Sequence, residues 1–252
     1  MTVTDASEPA CLLRLLWRSR LAVPARRGPK ARVSIDQIVA AGIALADRDG
    51  AEAPTIRAVA ASVGVAPMTI YSHVPDKATL VALMVDQALR DMPTTPIATD
   101  PIERLGNVLD DNHRLYLAHP WLIAAYTERP PMGPGVIGKY ERELAAFDGM
   151  RLSALDVDSA LTFLLNFARS AAADVVAARA EAERGSAGDW WAALEPELTA
   201  LISAADYPLA TAIGTQAGEA LGGAYNADHA YRFGRARVLT AIAELADPGA
   251  SE

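Results

Sequence analysis

Apolar residues at Ile35, Ile38, Val39, Ile43 and Ala46 recur in steps of three and four, the spacing of one buried helical face. Ser34, with Gln37 three positions on, forms a capping-box pattern at its start, so the spacing predicts a helix over about 35–48, ended at Gly50. Thr55 caps a second helix with Ile56, Val59, Ala60 and Val63 inward, and Gly64 closes it. Pro67 then begins a third helix, reaching about Val74, with Ile70 and Val74 facing inward. Pro75 and Asp76 break it and open a fourth, Lys77 to about Arg90, whose inner face is Leu80, Leu83, Met84 and Ala88.

Pro93, Pro96 and Pro101 interrupt the pattern and mark a hinge or domain boundary. Helical spacing resumes at about 102–118, 121–127, 134–147, 156–183, 189–204 and 228–246, without strand-like alternation, so the fold class is all-α. The stretch Ala160 to Ala168 is apolar nearly all round, as in a helix buried on two sides. Gly214, Gly218, Gly222 and Gly223 make 206–227 a loop by the same reading. The organisation expected is a basic extension at 1–33, a three-helix head with a linking helix at 34–90, and a helical bundle at 101–252.

The 252 residues are 51% hydrophobic and 21% charged, enough for a substantial core. The net charge of −8 argues against a chain-wide basic nucleic-acid binder, but it is unevenly spread. Up to Arg90 there are 11 basic and 8 acidic residues; beyond it there are 12 and 23. No acid stands between Glu8 and Asp36, a stretch holding Arg14, Arg18, Arg20, Arg26, Arg27, Lys30 and Arg32. Contact with a polyanion is therefore expected in the first ~90 residues, with an acidic body turned from it. Cys11 is the sole cysteine, which excludes an intramolecular disulfide and a multi-cysteine zinc site and fits a reducing cytoplasm. The apolar run Leu12 to Trp17 is interrupted by Arg14 and shorter than a signal-peptide core. No later run reaches the ~18 apolar residues of a membrane span, so a soluble cytoplasmic protein is expected. Leu12 to Trp17 reads as a short amphipathic helix that docks on the body or lies along DNA, with docking favoured.

Two helices joined by a glycine turn form a helix-turn-helix, whose second helix enters the DNA major groove. Such pairs also occur as plain core, and the outward residues discriminate. Thr69, Tyr71, Ser72 and His73 offer hydroxyl and imidazole groups on a short helix, and Lys77 starts the next one at a phosphate-contacting position. The whole run Ile56 to Lys77 resembles the DNA-binding segment of the tetracycline-repressor (TetR) family of bacterial transcription regulators, with the match spanning about 34–88. The resemblance implies an all-α homodimer with a DNA-reading head and a larger ligand-binding and dimerising bundle. By position it places Thr69, Tyr71 and His73 on the recognition helix, Arg57 before it within reach of a base edge or phosphate, and Lys77 on phosphate. Met68 and Ser72 would vary with operator sequence, and Arg26, Arg27, Lys30 and Arg32 would form an arm reaching the minor groove or phosphates.

The pieces His119-Pro120-Trp121, Arg129 to Gly135 and Tyr231 to Gly234 resemble the subgroup nearer the tetracycline repressor itself. No stretch matches a tetracycline–magnesium site. His73, His113, His119 and His229 lack metal-ligand spacing, so neither metal nor cofactor is expected. For an effector pocket, Asn112, Tyr116 and His119 share a helix face, Trp121 and Tyr126 follow, and Phe163, Asn166, Phe167 and Arg169 lie on the long apolar helix. Pairing through 156–183 and 228–246 would set two recognition helices one DNA turn apart on a palindromic operator, with effector binding releasing repression. The competing reading is an all-α enzyme or carrier with a structural head. No Ser-His-Asp, Cys-His or paired-carboxylate arrangement is marked locally in favour of it.

Overall fold

The computed structural model describes residues 8–21, 32–50, 52–125, 130–185 and 187–246, and among these every regular element is helical. The first half runs α1 (Glu8–Leu16), α2 (Ile35–Asp49), α3 (Ile56–Ser62), α4 (Pro67–Tyr71), α5 (Lys77–Arg90), α6 (Pro101–Ala118), α7 (Trp121–Ala125) and α8 (Pro134–Leu144), which tightens into a 3-10 turn at Ala145–Phe147. Then follow α9 (Ala154–Arg184), α10 (Ala187–Leu201), α11 (Pro208–Leu221) and α12 (Ala227–Ala246).

Local chemistry sets the head's boundaries. Ser34 Oγ accepts the Gln37 amide at 3.2 Å while Gln37 Oε1 accepts the Ser34 amide at 2.9 Å, a complete capping box. Thr55 and Asp76 cap α3 and α5 by accepting the amides of Ala58 and Thr79 at 3.2 and 2.6 Å. Gly64 takes φ 69° at the turn between α3 and α4, a conformation other residues rarely adopt. Helix α4 ends at Tyr71, short of the expected Val74. Pro75 disfavours helical geometry at Val74, and the chain closes by a tight turn in which the amides of His73 and Val74 both donate to Ile70 O, at 2.9 and 2.8 Å.

The chain divides into two compact units, Met1–Met150 and Arg151–Glu252. In the first, Ile38, Val39, Ile56, Val59, Ile70, Val74, Leu80, Leu83 and Met84 form one core with Leu115 and Trp121 from α6 and α7. Met92, at the start of the proline-bearing segment, belongs to the same core. Gly42 lets α2 and α5 touch, since a Cβ there would lie 2.8 Å from Met84 Sδ. The extension helix α1 docks as expected: Leu16 is buried in the head core, Arg18 pairs with Asp36, and the Trp17 indole donates to Met132 O at 2.8 Å.

In the second unit α9 packs on α12 through Leu161, Leu164, Ala168, Ala172 and Val175 on one side and Val238, Leu239 and Ile242 on the other. A Cβ at Gly234 would strike the Phe167 ring, which stacks on Tyr231. Three expectations change here. Thr162, Phe163 and Asn166 are exposed, so the Ala160–Ala168 stretch is buried on one side only within its own chain. By length and composition α9 also reaches the size of a membrane span, which no run was expected to do, although its apolar face is engaged by α12. The glycine-bearing 206–227 region is largely helix α11 rather than loop. Pro208 starts it and left-handed Gly222 ends it, while Gly214 and Gly218 within cost only about 1 kcal/mol each.

Replacing Leu16 by Ala leaves a cavity in the head core and should lower stability by about 2–5 kcal/mol, read as a reduced urea midpoint. An unchanged midpoint would show that α1 does not support the head.

Candidate functional site

The surface formed by α3, the glycine turn, α4 and the start of α5 presents side chains that the core does not use. Met68 is 74% and Tyr71 45% exposed. Arg57, Ser72 and Lys77 are exposed as well, and Thr69 and His73 are half-buried. Ile70 and Val74, fully buried, pin the turn to the core and so fix which side faces outward. Ser72 Oγ donates to Thr69 O at 2.7 Å, which spends its hydroxyl hydrogen on the backbone and leaves its lone pairs to accept. Arg32 is exposed just ahead of α2, and Arg26, Arg27 and Lys30 lie outside the described residues. Donors, acceptors, a thioether and an aromatic ring on one short helix, flanked by cations, are the means of reading base edges and gripping phosphate.

A second feature is a cleft of about 240 Å³ lined by the strap 92–98, α6 and the end of α8. Its apolar wall includes Met92, Pro96, Val108 and Ala146; its polar wall is Arg104, Asn107, Asp111, Arg142 and Glu143. Buried Asp111 accepts the Thr95 amide and hydroxyl at 2.8 and 2.7 Å, which ties the strap to α6, and also pairs with Arg114. Buried Glu143 accepts from Asn112 Nδ2 at 2.6 Å and from Lys139 Nζ at 2.7 Å. Burial pulls the Lys139 pKa below its ordinary value, against the opposing pull of Glu143.

The cavity wall is joined to the N-terminal head by a clamp. Asp86 on α5 is 3% exposed, and its Oδ1 accepts the amides of Gly135 and Val136, at 2.8 and 3.1 Å, in the first turn of α8. Arg90 donates to Oδ2 at 3.1 Å. The carboxylate thus answers two of the unsatisfied amides and the positive end of α8. A Cβ at Gly133 would overlap the Asp86 carboxylate, and one at Gly135 would fall on the Asp86 carbonyl oxygen, so the two glycines are what permit this approach. At the other end of α8, Arg142 reaches Leu89 O at 3.4 Å.

Comparison with known proteins fits this arrangement. Residues 38–84, containing α3, α4 and the turn, match the model of bacterial regulatory proteins of the tetR family, and residues 99–245 match the tetracyclin repressor-like C-terminal domain. The chain belongs to the TetR family of bacterial transcriptional regulators.

The HTH-type transcriptional repressor DrrR1 of Streptomyces coeruleorubidus is 29% identical over 247 residues, covering 96% of this chain and 88% of that protein. Apo ActR from Streptomyces coelicolor superposes with a TM-score of 0.70 at 20% identity, covering 86% of this chain and 97% of ActR. ActR in complex with actinorhodin gives 0.69 at 19%, covering 85% and 97%. Both ActR comparisons share the fold.

Within this TetR-family chain the residues expected to form a pocket take several positions. Asn112 is fully buried and holds Glu143, one of the cavity walls. Tyr116 packs against the head core. His119 Nδ1 and the Trp121 indole both meet Asp47 Oδ1 on α2, at 2.7 and 2.8 Å, so they brace α7 against the head. Tyr126 lies outside the described residues. In the second unit Phe163 and Asn166 are exposed on α9, Phe167 stacks on Tyr231, and Arg169 is half-buried. The wall residues Arg104, Asp111, Arg142 and Glu143 were not singled out from sequence. Their charges read as solvated faces of α6 and α8, and only burial of Asp111 and Glu143 between helices distinguishes them. Among the described residues no three His, Cys, Asp or Glu side chains converge on a metal position.

Substituting Lys139 by Met strands the buried Glu143 carboxylate and should cost about 3–5 kcal/mol. Chemical denaturation measures it; a loss below 1 kcal/mol would mean that Glu143 is supported without the lysine.

Proposed function

We propose that the chain is a ligand-responsive repressor that binds a palindromic operator as a homodimer in the cytoplasm and is released when a small molecule enters the cavity under the 92–98 strap. The observation that carries this reading is the clamp. The helix that supplies Arg142 and Glu143 to the cavity is bonded through its first turn to Asp86 on α5, the helix that follows the recognition helix. A ligand that prefers a shifted α8 would bias the position of α5 and hence of Tyr71 and Lys77, to the extent of its differential affinity for the two positions. The complex of the related fold ActR with actinorhodin supports a small molecule as the effector class.

Two exposed aromatic residues support dimerisation. Phe163 on α9 and Phe233 on α12 are 51% and 63% exposed, and Leu155 and Leu245 are exposed on the same two helices. Apolar residues on a packed helix pair suit a self-complementary interface. Two heads so joined would read half-sites about 34–36 Å apart. Arg57 and Lys77, with the arm residues Arg26, Arg27, Lys30 and Arg32, would hold phosphates or reach the minor groove. Thr69, Tyr71 and His73 would face the bases, and Met68 and Ser72 would tune operator choice. Such a chain acts by binding, with no catalytic group assigned.

Footprinting on the DNA upstream of the protein's own gene should reveal a protected palindrome. Tyr71→Ala should weaken binding to it by about 1–3 kcal/mol, and Lys77→Gln should reduce the salt slope by about one. Unchanged affinity and slope in both variants would refute this DNA surface. In sedimentation at micromolar concentration the wild-type chain should run as a dimer and Phe163→Glu/Phe233→Glu as a monomer; a wild-type monomer would refute the dimer.

A further inference from the structure

The charge balance around the strap cavity identifies the kind of molecule it would hold, and this step rests on the proposal that the cavity is the effector site. Both lining carboxylates are already engaged by cations of this chain, Asp111 by Arg114 and Glu143 by Lys139. The two lining guanidiniums are not matched in the same way. Arg104 donates from Nε to Ala146 O at 3.0 Å, from Nη1 to Thr99 O at 2.9 Å and from Nη2 to Asp148 O, all of them backbone carbonyls. Arg142 makes one long contact, to Leu89 O at 3.4 Å. Among the described residues neither meets a carboxylate as an ion pair.

A guanidinium has five N–H donors. Arg104 therefore keeps two and Arg142 most of its set, beside the apolar surface of Met92, Pro96, Val108 and Ala146. Carbonyl oxygens orient a guanidinium but cancel only part of its charge, and in a site partly shielded from water the remainder favours an anion. A cationic ligand would meet two uncompensated positive groups and two carboxylates whose partners it would have to displace. The volume, about 240 Å³, lies just below the ~300–1,000 Å³ range of drug-sized sites and suits a compact body of one or two rings.

We infer that the effector is a compact, mainly apolar organic anion, a carboxylic acid or acidic phenol on a ring system, with its charge on Arg142 and Arg104 and its rings between the strap and Val108. Arg142 is then a specificity-determining residue: it selects the anion and, from the last turn of α8, couples the ligand's charge to the helix that Asp86 clamps.

The test uses the full chain and three isosteric probes, 2-naphthoate, 2-naphthamide and 2-(aminomethyl)naphthalene, titrated calorimetrically. Naphthoate should bind at least tenfold more tightly than the amide, with the ammonium weakest. Arg142→Gln should lower naphthoate affinity about tenfold and amide affinity much less, so that the preference for the anion narrows. Equal affinity for naphthoate and amide, or no effect of Arg142→Gln, overturns the anion inference while leaving the cavity intact. Val108→Trp fills the cavity and should abolish binding of all three. A benzophenone carboxylate, photolysed on wild-type protein and mapped by peptide mass spectrometry, should label 92–98 or 104–111, a readout independent of whether the tryptophan variant folds. Labelling confined elsewhere, or naphthoate binding retained in folded Val108→Trp, overturns the cavity as effector site. Failure of all three probes to bind overturns both.

Discussion

Asp86 is the carboxylate on which the arrangement of the first unit depends. Removing it from water is costly, and that cost is offset by two backbone amides of α8, the positive end of that helix and the Arg90 guanidinium. The bond needs the backbones of α5 and α8 nearly in contact, which side chains at 133 and 135 would prevent. The result is a linking helix held by directional bonds as well as by apolar packing. Directional bonds have discrete arrangements, so α5 is suited to occupy defined positions rather than to drift.

Other polar contacts brace the head from different sides. Asp47 on α2 receives His119 and Trp121 from α7, Met132 just before α8 receives the Trp17 indole, and Asp111 receives the strap through Thr95. The core of the head is thereby continuous with α6 and α7, and α6 also lines the strap cavity. The family models divide the chain between residues 84 and 99, whereas compact packing divides it after Met150. The two divisions describe different things: one follows recurring sequence modules, the other the helices that share a core.

Much of the head was legible in the chain because its signals are local. Ser34 with Gln37, Thr55, Gly64, Pro67 and Asp76 act within three or four residues of themselves, and each stands where its cap or turn requires it. Of the outward set of Thr69, Tyr71, Ser72 and His73 expected opposite Ile70 and Val74, Tyr71 and Ser72 are exposed, while Thr69 and His73 are half-buried. The cavity was not legible, since Arg104, Asp111, Arg142 and Glu143 are ordinary charged positions on amphipathic helices until α6, α8 and the strap close around them. Asn112 was expected to share a pocket-facing side of its helix with Tyr116 and His119, but its partner Glu143 is 31 positions away. The region 206–227 misled because glycine content signals a break, while the end points Pro208 and Gly222 decide the helix.

The amino-acid sequence by itself determined an all-α chain, a helix-turn-helix with its exposed reading face, a basic start on an acidic body and membership of a regulator family. These follow from periodicity, caps and composition, which act over a few residues or over the chain as a sum. Only the tertiary structure decided that Asp86 grips α8, that Asp47 gathers His119 and Trp121, and that Arg104 and Arg142 line one cavity with no carboxylate ion pair among the described residues. Such pairings join residues tens of positions apart, and their strength depends on distance and burial, which no local pattern encodes.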